Sequence, residues 1–255
     1  MLTTIVGHIL AVCIGLSLGL VGGGGSILAV PILVYVMGVS SKVAIAMSLI
    51  IVCTISVVGM IPHWQQGNVR FKIALTFIPA AMLGAYLGAT LTAIPAVTET
   101  LQLVGFALVM ATASILMIRR GKQSIPKTNK PPFWRGFPQW LRISVQGFGV
   151  GILTGFVGVG GGFIIVPALV IIEGMAIKQA IGTSLLIIVA NSIAGFLGYI
   201  NQVTIDWQLV LSFTLAASGG TIAGAYLNRY VDAKQLQQGF GYFILAVAVF
   251  ILIKH

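Results

Sequence analysis

The chain alternates long apolar stretches with short polar breaks. Apolar runs cover 3–21, 42–61, 71–92 and 99–118 in the first part, and 142–157, 178–199, 207–228 and 235–253 in the second. A bilayer-crossing helix needs about 20 mostly apolar residues, so most of these runs read as membrane spans. Two shorter runs, 26–38 and 163–174, each follow a glycine cluster, GGGGS at 22–26 and GVGGG at 158–162. The first run starts without a basic stretch and reads as a retained membrane helix, not a cleaved signal peptide.

The pattern occurs twice. GLSLGLVGGGGSILAVPILV at 15–34 matches GILTGFVGVGGGFIIVPALV at 151–170, an offset of 136 residues, and the register continues without a gap to Gly84/Gly220 and Gly88/Gly224. In the ungapped alignment of 15–89 with 151–225, 27 of 75 positions are identical, which excludes chance. Pairs include Pro31/Pro167, Lys42/Lys178, Ser48/Ser184, Ser56/Ser192, Gly59/Gly195 and Gln66/Gln202. The expected organisation is an N-terminal membrane repeat (1–119), a basic linker with an interfacial segment (120–141) and a C-terminal membrane repeat (142–255). In the linker, PPFWRGFPQWLR at 131–142 suits headgroup level, with Trp134 and Trp140 as anchors.

Whether the repeats are parallel or inverted turns on the glycine-broken segment. A single crossing gives each half four spans and parallel halves. A hairpin, re-entrant or crossing twice, gives an odd number and inverted halves. Charge favours inversion: with the linker cytoplasmic, inversion puts Lys178, Arg229 and Lys234 on the same side and Asp206 opposite, while leaving Lys42 and Lys254 outside. The expected fold is an all-α polytopic membrane protein. Its two homologous halves form inverted repeats, each a glycine-broken helical hairpin followed by three spans, with eight to ten membrane segments in all.

Composition narrows the function. Of the 255 residues 58% are hydrophobic and 7% charged, far from the roughly 25% charged of soluble domains, so soluble, disordered and disulfide-rich classes are excluded. Lys and Arg number 14 against 4 Asp and Glu, a net charge of +10. Seven of those 14 cations (Arg119, Arg120, Lys122, Lys127, Lys130, Arg135 and Arg142) lie in one stretch joining the halves. That is a cytoplasmic loop by the positive-inside rule, and it suits anionic lipid; no nucleic acid partner is expected. Cys13 and Cys53 lie in apolar runs without metal-ligand spacing, and neither metal nor cofactor is expected.

The glycine clusters are poor helix interiors, at about 1 kcal/mol per Gly relative to Ala. Broken backbone at membrane depth has to be covered by protein or line a wet cavity. A helix beginning just after each cluster would aim free N–H groups and its positive end at that cavity, an anion site. The candidate substrate-binding residues are therefore Gly22, Gly23, Gly24, Gly25 and Ser26 in the first repeat, and Gly158, Gly160, Gly161 and Gly162 in the second. Pro31 and Pro167 are candidate structural hinges. Ser48, Thr183, Ser184 and Asn191 are polar residues inside apolar runs, able to donate to an oxyanion without placing a fixed charge in lipid. The alternative for each hydroxyl is a bond to its own helix carbonyl. Gly84, Gly88, Gly220 and Gly224 read as helix-packing positions. Glu99, Glu173, Asp206 and Asp232 all map to run ends, against a carboxylate proton relay or cation pathway. His63, in IPHWQQGN at 61–68, reads as an interfacial histidine, with a proton handler as the alternative. No histidine sits mid-run to partner a serine, so no catalytic residue is assigned and an enzyme is not expected.

The doubled element GLVGGGGSILAVPIL (19–33) and GFVGVGGGFIIVPAL (155–169), with AIGTSL at 180–185, resembles the sulfite exporter TauE/SafE family of TSUP-type anion permeases. AIAMSL at 44–49 departs from the pattern, Met47 standing where the family often has Thr, so a hydroxyl pair would be asymmetric. The resemblance implies export of small sulfur-containing anions such as sulfite, thiosulfate or sulfonates across a bacterial inner (plasma) membrane. Joined to the reading of the glycine clusters, it makes the expected protein a secondary transporter working by alternating access around a midplane site. The alternative is an anion channel or a passive membrane subunit of a larger complex. The expected partners are a small inorganic or organosulfur anion and the lipid bilayer. Coupling to a proton or sodium ion and assembly as a homodimer are left open.

Overall fold

The computed structural model describes residues 2–91, 111–112, 114–115, 118–119, 138–157, 162–199 and 203–254. Most of the linker, Trp134 and most of the expected span 99–118 lie outside them. Among the described residues there are nine delimited α-helices and no strand, and the described residues between 111 and 119 are helical as well. The nine are α1 (Leu2–Val21), α2 (Gly24–Tyr35), α3 (Ser41–Gln65), α4 (Phe71–Leu91), α5 (Gln139–Val157), α6 (Gly162–Ile171), α7 (Ile177–Tyr199), α8 (Trp207–Leu227) and α9 (Ala233–Lys254). The expected runs 71–92, 178–199 and 207–228 reappear almost residue for residue as α4, α7 and α8. Stretches of α3, α4, α7 and α8 are long and apolar enough to cross a bilayer.

The broken segment is a long helix followed by a short one that turns back. α1 has 20 residues and α2 only 12, about 18 Å at about 1.5 Å per residue. The first helix ends because Gly22 takes φ +76°, a left-handed conformation that an L side chain rarely adopts. α2 then runs back along α1: Gly25 lies against Ile14 and Leu18, and Met37, just beyond α2, reaches Gly7. α5 and α6 repeat this order, α6 having 10 residues.

The two repeats interlock. α1 packs on α8, which belongs to the other half, and α4 packs on α5. Both contacts are glycine zippers. A Cβ on Gly15 or Gly19 of α1 would strike the carbonyl oxygens of Ala217 and Thr221, and Gly220 and Gly224 of α8 sit on those of Val12 and Leu16. The matching contacts are Gly147 on Phe77 and Gly151 on Ala81, with Gly84 of α4 packed between Phe148 and Ile152. In each pair the numbers rise together, so the paired helices run parallel. Gly84, Gly220 and Gly224 are therefore packing positions, as their spacing implies.

At the centre, α3 lies against its own repeat equivalent, α7, and the two run antiparallel. Gly59 is beside Leu185, Cys53 Sγ is 3.9 Å from the carbonyl oxygen of Val189, and Gly195 is beside Leu49. Cys53 and Val189 are 136 residues apart, the repeat offset, so equivalent positions touch each other near the middle of both helices.

One end of the bundle collects cations. Lys178 Nζ donates to the carbonyl oxygen of Arg229 at 3.2 Å, and the Arg70 N–H donates to Thr183 Oγ1 at 3.0 Å. Arg70 and Lys72 share a groove with Gln139 and Trp140, where the linker enters α5. Asp206 caps the start of α8 at the opposite end, its carboxylate accepting from the Leu209 N–H at 3.0 Å.

Candidate functional site

The site is built around the break after α1. A broken helix leaves carbonyls and N–H groups without partners, and burial makes each unmet group expensive. Here side chains from three helices meet the carbonyls. His63 of α3 lies with Nε2 2.9 Å from the Gly19 oxygen. Asn228, just past α8, donates its amide to the Leu20 oxygen at 2.7 Å. Ser184 of α7 donates toward the Gly22 oxygen at 2.7 Å, and Ser26 donates to the Gly23 oxygen at 2.8 Å. The Gly22 N–H itself returns to Leu18 at 2.7 Å.

The donors are treated differently. Gly23, the cap of α2, offers no side-chain hydrogen bond to the first turn. The N–H groups of that turn have no intrahelical acceptors and carry the positive end of the helix dipole. The break thus spends its acceptors internally and keeps donors at the start of α2, the polarity an anion needs.

The cap of α2 and the first described residue of α6 meet. A Cβ on Gly162 would lie 3.0 Å from the Gly23 Cα and 2.6 Å from Ile188 Cδ1. Gly22 is pressed against α7, where a Cβ would come 2.7 Å from the Ile181 Cα. The structure therefore brings Gly22, Gly23, Ser26, Gly162 and Ser184 together, with Gly24 and Gly25 opening α2. Gly158, Gly160 and Gly161 lie outside the described residues. Pro31 falls inside α2 and Pro167 inside α6, each deleting one backbone donor from a short helix.

The other candidates are placed as follows. Ser48 Oγ donates to its own helix, to the Ile45 oxygen at 2.7 Å. Ser184 Oγ also lies 2.8 Å from the Ile181 oxygen, so its single proton is shared between two carbonyls. Thr183 accepts from the Arg70 backbone and ties α7 to the start of α4. Asn191 is buried, and neither its Oδ1 nor its Nδ2 has a partner.

Two features exceed the sequence reading. His63 is fully buried, with Nδ1 unpartnered. Because a carbonyl can only accept, Nε2 carries the proton and donates to Gly19. α3 ends at Gln65, two residues beyond His63, and a turn follows at Gln66–Gly67. Ser56 and Ser192 are both fully buried, and neither hydroxyl has a partner. Their identity across the repeat was the available signal. Among the described residues no group of three or more His, Cys, Asp or Glu gathers to hold a metal ion.

Comparison with known proteins agrees with this architecture. The family model described as Sulfite exporter TauE/SafE matches residues 8–251. A protein of Xylella fastidiosa (strain 9a5c), named "Probable membrane transporter protein", is 34% identical over 246 residues, covering 94% of this chain and 91% of the relative. The Bacillus subtilis proteins "Probable membrane transporter protein YdhB" and "Probable membrane transporter protein YunE" are 27% and 26% identical, covering 84% and 89% of this chain and 84% and 91% of their own lengths. The chain is an integral, multi-pass membrane protein of transporter type, and it belongs to the sulfite exporter TauE/SafE family.

Proposed function

We propose that this protein is a secondary carrier, acting as an exporter, of small sulfur-containing anions such as sulfite, thiosulfate or sulfonates. The observation that carries the reading is the polarity of the glycine break. Its carbonyls are met by His63, Asn228, Ser184 and Ser26, while the start of α2 keeps uncapped donors beside the start of α6. With no fixed cation in the pocket, an oxyanion is held by dipoles and hydroxyls, which suits repeated binding and release. The sulfur class of the substrate follows from the family description.

The mechanism we infer is alternating access between inverted repeats around a midplane site. The antiparallel contact of α3 with α7, and the touching pair Cys53 and Val189, support inversion, because a twofold axis lying in the membrane reverses every helix it copies. The gathering of Arg70, Lys72, Lys178 and Arg229 at the end where the linker enters supports a cytoplasmic linker and an inner-membrane location. Catalysis has no place in this scheme.

Purified protein in liposomes tests the reading. Labelled sulfite, thiosulfate and a small sulfonate are offered with chloride and phosphate as controls, with and without a pH gradient. Saturable flux of a sulfur anion is expected, and the gradient response identifies any proton coupling. Purified protein inert toward all of them would overturn the carrier assignment.

A further inference from the structure

Most buried hydroxyls in this bundle donate to a carbonyl. Thr221 donates to Ala217 at 2.9 Å, Thr154 to Gly151 at 2.9 Å and Ser48 to Ile45 at 2.7 Å. That local bond is open to any helical Ser or Thr. Ser56, Ser192 and Thr214 have the same option and make no such bond; Ser56 and Ser192 are fully buried, and all three hydroxyls are unpartnered. A buried polar atom without a partner costs about 1–3 kcal/mol, and such atoms are few in native proteins. Ser56 and Ser192 are repeat equivalents, 136 residues apart, whereas the equivalent of Thr214 is Ile78 and carries no hydroxyl.

Their place in the fold supplies a reason. In the inverted-repeat reading Cys53 and Val189 touch at the pseudo-twofold axis, and Ser56 and Ser192 each lie three residues beyond, one helical turn on. Ile188 packs on Gly162, the first described residue of α6. α6 and α7 form an antiparallel pair joined by a short turn, so the N–H groups of α6 point along α7 toward higher numbers. Ser192 lies one turn beyond Ile188 in that direction. The 136-residue correspondence places Ser56 in the same relation to α2. Each half-helix start thus has a buried, unspent hydroxyl one turn ahead of it. Asn191 adds an unpartnered amide on the second side only, since its equivalent is Ile55.

We propose that Ser56 and Ser192 are the paired hydroxyl donors that, with the starts of α2 and α6, bind a small oxyanion on the pseudo-twofold axis. The assignment rests on the carrier reading and deepens it. It moves the donor role away from Ser48 and Ser184, whose protons are committed to carbonyls. One donor per half-site lets each repeat supply an equivalent grip as the site changes the side it faces.

Three variants test it: Ser56→Ala, Ser192→Ala and, as a structural control, Ser184→Ala. Two quantities are read: thermal midpoint without substrate, and KM in proteoliposomes for whichever of sulfite, thiosulfate or sulfonate the wild type transports. Ser56→Ala and Ser192→Ala remove a group that has no partner, so the substrate-free midpoint should hold or rise while KM rises about tenfold or more. Ser184→Ala uncaps the Gly22 carbonyl and should lower the midpoint. Unchanged KM in both variants, or midpoints that fall as in Ser184→Ala, would overturn the assignment while leaving the carrier intact. Absent wild-type flux would bring down the carrier reading and this assignment with it.

Discussion

At the residue scale, the break after α1 depends on a few side chains meeting particular carbonyls. Asn228 is fully buried and its amide serves Leu20. Asn228→Ala should therefore lower stability by about 1–3 kcal/mol, read as a reduced thermal midpoint in detergent. Gly22 and Gly38 both have positive φ, +76° and +71°, but only Gly22 is wedged against Ile181, while nothing lies within 4 Å of a Cβ at Gly38. Gly22→Ala should then cost folded yield severely. Gly38→Ala should cost only the left-handed strain of about 1–2 kcal/mol. Equal losses would mean that conformation, not contact, sets the requirement at Gly22.

The element scale is governed by the glycine zippers. They let α1 approach α8, and α4 approach α5, closely enough for backbone to touch backbone. Neighbouring glycines provide a sharp contrast. Gly220 lies on the Val12 carbonyl, whereas Gly219 faces open space. Gly220→Leu should abolish the monodisperse peak in size-exclusion chromatography of the detergent-solubilised protein, and Gly219→Leu should leave it unchanged. Similar behaviour of the two would show that α1 and α8 do not pack through this face. Much of this level was legible in the sequence. The spans of α4, α7 and α8 and the packing role of Gly84, Gly220 and Gly224 could be read from run lengths and repeat spacing. The exchange of partners between halves could not, because a hydropathy run says where a helix is and not which helix it meets.

For the whole molecule, the repeat offset was the strongest signal, and the touching pair Cys53 and Val189 gives it spatial form. The candidate site was only partly legible. The glycine clusters stood out because they break apolar runs. The roles of the hydroxyls did not, since composition cannot tell a serine bonded to its own helix, such as Ser48, from one with a free proton, such as Ser192. His63 looked interfacial because polar residues follow it, yet the fold turns it inward onto Gly19. Orientation is testable at this scale. Single cysteines at Arg70, Lys178 or Arg229, in a background lacking Cys13 and Cys53, should react with an impermeant maleimide only when the cytoplasmic face is open. A cysteine at Asp206 should react from the other side. Labelling of Arg70 and Arg229 from opposite faces would refute inverted repeats with a cytoplasmic linker.

The central claim is that two half-helix starts hold a sulfur anion in a carrier cycle. Counterflow in proteoliposomes tests it most directly: vesicles are loaded with unlabelled sulfite, thiosulfate or sulfonate, and entry of the same labelled anion is followed. A carrier predicts saturable entry that is accelerated by the internal anion and transiently overshoots equilibrium. Entry that rises linearly with concentration and ignores the internal anion would contradict the account and identify a channel.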